Sequence, residues 1–519
     1  MSIRMIKLNF RIISLSLALS SLAVEASLMA QSQDTVYVQS GGTGVKTNQT
    51  YSAISANTSG VLVSNSGTFT LTNSSITTTG NSSSTDSSSQ YGLNAGVFAK
   101  SAGVIVMSGC SVTTSGTGAN ALFATGSMSS ITMTNGSIVC SGGNAHGVDV
   151  TYTGSITLIN VNVTTSGASS SALATDFGGG TVTVTGGTIK ASANHSAGIY
   201  STGAITVSGA DITASGDNGA VIDADGSIVI VNTSLTGDQN GLMVHNTVGQ
   251  ASLMGTYTMK GGSLTAQGGD GFYVTAAKAL ITVNGGGVIN ASTGVIVNAV
   301  SSSTVAFVSD GDTLAGNLNT SGGSTIIAAL KNSSRLSGAI NSAALTLDAS
   351  SVWVVTGTSI VTGLTDADGI SGTSIMNIIG NGNSVYYDSR LTGNKALAGK
   401  TYSLLNGGQL TPGTTTGVAN AQQAIPSTWR LDQNYPNPFN PSTTIGYNLP
   451  VESHVRIQII NDLGARVASL FEGEQAAGYQ KVSWNAKVSS GVYFYHIEAV
   501  STTDPTNRFV QVKRMLLMK

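Results

Sequence analysis

From about residue 69 to residue 300, apolar residues recur at every second position in short runs, and the runs themselves recur. The first apolar positions are Phe69, Ile105, Ile131, Ile156, Val182, Ile205, Ile228, Tyr257 and Ile281, at spacings of 36, 26, 25, 26, 23, 23, 29 and 24 residues. Two residues further on stand Leu71, Met107, Met133, Leu158, Val184, Val207, Ile230, Met259 and Val283. Period-two alternation marks a strand with one buried face. After a Gly or Asn corner, a second run places Ile76, Val112, Ile138, Val163, Ile189, Ile212, Leu235, Leu264 and Val288 inward. A third short run, opened by Gly or Ala, places Val97, Leu122, Val148, Leu173, Ile199, Val221, Leu242, Phe272 and Val295 inward.

A repeat of about 25 residues with three strands and no helical period predicts one coil of a right-handed parallel β-helix. Nine coils stacked at about 4.8 Å make a rod about 40 Å long. Gly and Asn suit the corners, where positive φ costs them least. Proline, which cannot donate to a ladder paired on both sides, is absent until Pro412. Residues 304–411 continue less regularly, as around Trp353, and read as the end of the rod.

Composition separates this region from the C-terminal part of the chain. Residues 31–411 hold eight Lys and two Arg against sixteen Asp and no Glu, whereas all seven Pro lie from Pro412 to Pro505. The whole chain carries a net charge of −2, with no basic footprint for nucleic acid. Low net charge with ample hydrophobic content argues for a folded chain. At the start, Arg4, Lys7 and Arg11 precede the apolar run Ile12–Val24 and small residues at Ala26 and Ala30. This predicts a signal peptide over residues 1–30, cleaved after Ala26 or Ala30, with no transmembrane segment in the mature chain.

The repeat style of Ser155–Gly167, Ser171–Asp176 and Ser334–Ser359 resembles pertactin-like autotransporter passengers and related adhesin β-helices. An autotransporter passenger is followed by a membrane barrel, a pattern this sequence does not show. From Trp429 the sequence instead reads Leu431-Asp-Gln-Asn-Tyr-Pro-Asn-Pro-Phe-Asn-Pro-Ser-Thr-Thr-Ile445. It continues through Leu463-Gly464, Val482-Ser-Trp484, Ser490-Gly491-Val-Tyr-Phe-Tyr495 and the basic end Lys513–Lys519. Alternating strands bounded by Gly and Asn predict a small antiparallel sandwich. These motifs resemble the C-terminal sorting domain of type IX secretion substrates. The resemblance implies recognition by the type IX translocon and sorting machinery and places the signal at Asn434, Tyr435, Pro436, Asn437, Pro438, Phe439, Asn440, Pro441, Gly491, Lys513 and Lys519. The expected organisation is a signal peptide at 1–30, a β-helix passenger at 31–411, a linker at 412–426 and a sorting domain at 427–519.

Solenoid functions sit on outward columns. On the third strand the column facing out reads Phe98, Phe123, Asp149, Ala174, Tyr200, Ile222, Met243, Tyr273 and Ile296. An exposed apolar ladder of this kind is a candidate glycan-stacking or adhesive strip, with Phe98, Phe123, Tyr200, Ile222, Met243 and Tyr273 as its binding residues, unless a loop or the sorting domain covers it or the register slips. A Thr-rich column from Thr70 to Thr282 is the ordinary solvent-facing choice for strands, and its flanking column, with Ile159, Val231, Lys260 and Asn284, is too irregular to match an ice lattice.

The competing expectation is a polysaccharide lyase or hydrolase of the pectate-lyase-like class, which needs clustered carboxylates and, for lyases, a basic residue. Asp149, Asp176, Asp223 and Asp225 fall on or after third strands, but no Arg occurs between Arg11 and Arg335 and no Lys between Lys100 and Lys190. His146, His195 and His245 stand one per coil at corners, and the short acidic turns Asp310-Gly-Asp312 and Asp366-Ala-Asp368 complete no calcium loop. No catalytic residue, metal or cofactor is therefore expected. Cys110 precedes inward Val112 by two residues whereas Cys140 follows inward Ile138 by two, an offset of about 13 Å along extended strands that predicts two free buried thiols. The chain reads as an exported surface or extracellular protein, adhesin-like or structural, with glycans or other surface ligands as partners.

Overall fold

The computed structural model describes residues 34–366, 368–413, 426, 428–434 and 437–518; the expected signal peptide, Tyr435, Pro436, Lys519 and nearly all of the expected linker lie outside the described residues. The chain divides into two compact units, 1–414 and 415–519.

The first unit is a parallel β-solenoid of about 15 turns. Its first-strand column pairs Phe69 with Ile105, Ile105 with Ile131 and so on through Tyr257 with Ile281, as the alternation predicts. These residues are buried and share one continuous core. In that core Phe272 lies between Tyr257 and Phe307, with ring centroids 5.5 and 6.2 Å away. Trp353 is buried at the irregular end, its indole N–H donating to the Gly338 carbonyl at 2.9 Å.

The corner between first and second strands opens on a left-handed residue in each coil, Asn48, Asn73, Gly109, Asn135, Asn160, Gly186, Gly209, Asn232, Gly261 and Gly285, with a second left-handed glycine following at Gly187, Gly262 and Gly286. From Asn48 to Gly261 the N–H of that first residue donates to a carbonyl of the next coil, so the ladder continues round the bend, as from Asn73 to Ser108 and from Asn160 to Thr185. Asn stacks on Asn at Asn48–Asn73 and Asn135–Asn160, while Gly follows Asn at Gly109 and Gly186. A methyl at Gly109 would collide with Oδ1 of Asn73 one coil before, and Asn160 under Gly186 repeats the arrangement.

Three positions depart from the expected register. Ile289, not Val288, pairs with Leu264, because Gly285-Gly286-Gly287 adds a residue to the corner and turns Val288 to solvent. Ala220 pairs with Ile199, which turns Val221 outward and puts Ile222 in the core. A bulge between Val295 and Val297 buries Ile296 and places Asn298 opposite Tyr273. Cys110 and Cys140 are free and buried as expected, Cys140 pairing with Thr114, four residues beyond Cys110.

The 36-residue first repeat contains an insertion, within which helix α1 spans Thr85–Tyr91. Ser84 caps it, its hydroxyl accepting from Ser87 N, and Gly92 ends it at φ 71°. Both sheets of the second unit are antiparallel: a three-stranded one (Arg430–Leu431, Ser442–Leu449, Gly478–Asn485) and a four-stranded one (Arg466–Gln475, Ser453–Asn461, Gly491–Ser501, Arg508–Leu517) share one core around Tyr447, Trp484 and Tyr495.

Candidate functional site

The outward column of the third strands is, from the structural register, Phe98, Phe123, Asp149, Ala174, Tyr200, Val221, Met243, Tyr273 and Asn298. Its two ends differ. Phe98 and Phe123 are fully buried, edge to face at 5.6 Å, in a small core of their own with Leu62 and Ala95. The insertion makes this cover: a side chain on Gly92, just past α1, would strike the Phe123 ring. These two phenylalanines, expected on a binding face, are instead held beneath the insertion, and Ile222 points into the rod. Sequence alternation shows which way a side chain leaves the strand but not what lies over it.

Beyond Ala174 the column opens, except at Val221, which stays buried between Tyr200 and Met243. Tyr200, Met243, Tyr273 and Asn298 are each partly exposed. Phe177, at the exit of the same strand as Ala174, is 39% exposed at φ 22°, a conformation few bulky residues adopt. It is an aromatic the alternation misses because it lies on a turn, although its position ahead of Gly178-Gly179-Gly180 is a readable signal.

Carboxylates collect between the covered and open halves. Asp149 is fully buried; Asn120 donates to its Oδ2 at 3.5 Å, and its Oδ1 has no hydrogen-bond partner among the described residues. Burial and then the charge of Asp176 push the Asp149 carboxyl well above the usual range. Burial and Asp223 raise Asp176 to about 6, against the backbone N–H of Phe177, which donates to it at 3.0 Å. Tyr200 donates to Asp223 Oδ2 at 3.2 Å, and Thr247 donates to Asp223 through both N–H and hydroxyl. Burial lowers the His245 pKa despite Asp223, whose Oδ2 lies 3.9 Å from Nε2. Asp223 is buried behind these partners, and of the three carboxylates Asp176 alone is partly exposed and can accept hydrogen bonds from a polyhydroxylated ligand. Access to Asp149 itself is blocked, and Thr151 beside it donates to the Gln90 carbonyl in α1.

In the second unit the proline-rich segment is tied to distant strands. The N–H of Asn434 is bonded by the Tyr495 hydroxyl at 2.9 Å, and its side-chain amide donates to Thr443. Phe439 is buried 5.5 Å from Trp484 and bridges Leu517 in parallel. Asn437 Oδ1 accepts from Leu516 N at 2.8 Å, and the Pro441 carbonyl from Ala486 N at 2.8 Å. Pro438 and Asn440 are exposed, Gly491 begins a strand opposite Leu517, and Lys513 lies across from Tyr495.

No curated protein matches the chain. Residues 433–512 match the family model described as the secretion system C-terminal sorting domain, so the chain carries a type IX secretion sorting domain behind its β-solenoid and is delivered to the cell surface or the extracellular space.

Proposed function

We propose that the exported rod is an adhesin-like binding module that takes a glycan along the open half of its third-strand face. The observation that carries this is the partly exposed column Tyr200, Met243, Tyr273 and Asn298, set beside the carboxylates of Asp176 and Asp223. Coils stack at about 4.8 Å, so Tyr200 and Tyr273, three coils apart, stand about 14 Å from each other. Aromatic faces stack on sugar rings while acids and amides accept and donate to hydroxyls, the usual division of labour in a site with few polar groups. A glycan array probed with the full chain is the test. Binding lost in Tyr200→Ser/Tyr273→Ser and kept in Val106→Ser, on another face, supports the reading; binding indifferent to both tyrosines overturns it.

A second reading, polysaccharide cleavage, draws on one observation: Asp149 and Asp176 sit on neighbouring coils, and both hold their protons above the usual carboxylate range, Asp149 through burial and then the charge of Asp176, Asp176 through burial and Asp223. Product formation abolished by Asp149→Asn or Asp176→Asn would replace the binding role with this one.

A further inference from the structure

The two edges of the four-stranded sheet in the sorting domain are built differently. The strand Arg466–Gln475 is bulged twice against its neighbour and carries Glu472 and Glu474. Bulges and charge are the usual means of making an edge unfit for pairing. Arg508–Leu517, at the other edge, pairs in unbroken register from Leu517 with Gly491 to Arg508 with Val500. It contains no acid, proline or glycine.

The proline-rich segment occupies part of that regular edge. Phe439 N donates to the Leu516 carbonyl at 2.9 Å, Leu516 N to Asn437 Oδ1 at 2.8 Å, and Gln433 Nε2 to the Arg514 carbonyl at 2.7 Å. In an antiparallel pair alternate residues direct both backbone groups to the same side. Arg514 and Leu516 therefore face away from the sheet, and so do Val512 and Val510. For these two valines no backbone bond to a described residue outside the sheet exists. Their side chains are each 47% exposed, and Arg508 and Arg514 flank them, both exposed.

We propose that this open half of the last strand, centred on Val510 and Val512, is the docking edge for the secretion machinery, which adds an extended acidic segment to it as a further strand. Main-chain bonds to residues 510 and 512 supply affinity, the two valines an apolar contact, and Arg508 and Arg514 the preference for acid. The motif at 433–441 then acts from inside the domain, closing the neighbouring stretch of edge so that the added strand meets one register. The proposal does not depend on what the rod binds.

The test is export of the full chain by a type IX-competent host, read as protein reaching the surface and medium against protein retained in the periplasm. Val510→Pro/Val512→Pro removes two donors that have no partner among the described residues, and is expected to cut export about tenfold. Retained protein should keep the sorting domain's unfolding midpoint within a few degrees. Arg508→Glu/Arg514→Glu, which leaves the backbone intact, should also reduce export, and Glu472→Lys/Glu474→Lys on the bulged edge should not. Normal export of the folded proline variant overturns the proposal. Should the prolines unfold the domain, the charge-reversal pair decides, and its normal export overturns the proposal equally.

Discussion

The rod and the sandwich are both all-β, but they close their contacts over different stretches of chain. In the rod side-chain bonds join neighbouring coils, as where the Thr151 hydroxyl donates to Thr125 or the Ser170 N–H to the Ser196 hydroxyl, each across 26 residues. In the sandwich the corresponding ties are Gln433 to Arg514 across 81 residues, Leu516 to Asn437 across 79 and Asn434 to Tyr495 across 61. A rod can therefore be altered coil by coil, and its faces can vary while neighbours hold the register. A sandwich whose first segment bonds to its last strand exists only when the whole domain is present. The first suits a surface that diversifies, the second a label that should be read only from a finished protein.

The sharpest break of this contrast is Phe439→Ala. Loss of a buried phenylalanine costs about 3 to 5 kcal/mol, which should lower the sandwich's unfolding midpoint by about 15 °C or more. The rod's transition should stay in place; calorimetry showing both fall together would refute the independence of the two regions. Phe272→Ala removes a comparable ring from the rod, and its effect should stay near coils eight and nine. Limited proteolysis should cut within residues 255–310 and spare the coil containing Phe69; cleavage spread along the whole rod would show that coils are not local units. Gly109→Ala is smaller, about 1 to 2 kcal/mol for an alanine at φ +63°. Asn73→Ala in the same chain should return the part due to collision with its side chain, and a double-mutant cycle measures that part.

The smallest effect concerns pH. Asp176 titrates near 6 in the fold against 3.8 as a free side chain, so protonation favours the folded rod: this contribution is full below about pH 3.8 and is lost as pH rises through 6. His146, driven by burial to about 4, works the other way, its contribution present above 6.5 and lost as pH falls. Asp176→Asn isolates the first. Its melting temperature should gain a few degrees on the parent between pH 4 and pH 7, and a constant difference would mean that the buried acid is not under electrostatic cost.

The rod's architecture was legible because a solenoid writes each inward column as a period-two pattern repeated in sequence, and the whole first-strand column from Phe69 to Ile281 pairs as read. The reading slipped where adjacent apolar residues left two registers equally plausible, as at Val221-Ile222 and Val295-Ile296-Val297. It slipped again where three glycines lengthened a corner. The cover over Phe98 and Phe123 was not legible: the inserted Ser-rich segment has no apolar period, and α1 is held by a serine cap and packing that only the fold assembles. Of the candidate strip, Tyr200, Met243 and Tyr273 remain partly exposed. The sorting domain was legible from its motif, but the inward anchoring of Asn434 and Phe439 was not, because their partners lie 61 and 78 residues away in sequence.

The two cysteines set a clock. An exported chain passes through an oxidising compartment, where thiols pair within seconds to hours. In the finished rod Cys140 stands beside Thr114 rather than Cys110, and each thiol is enclosed, with burial pushing that of Cys140 up to about 11. A bridge formed earlier would pin consecutive coils four positions out of step and leave no way to close the ladder between them. Productive chains are those in which coiling outruns oxidation, and once wound they need no reductant to stay correct.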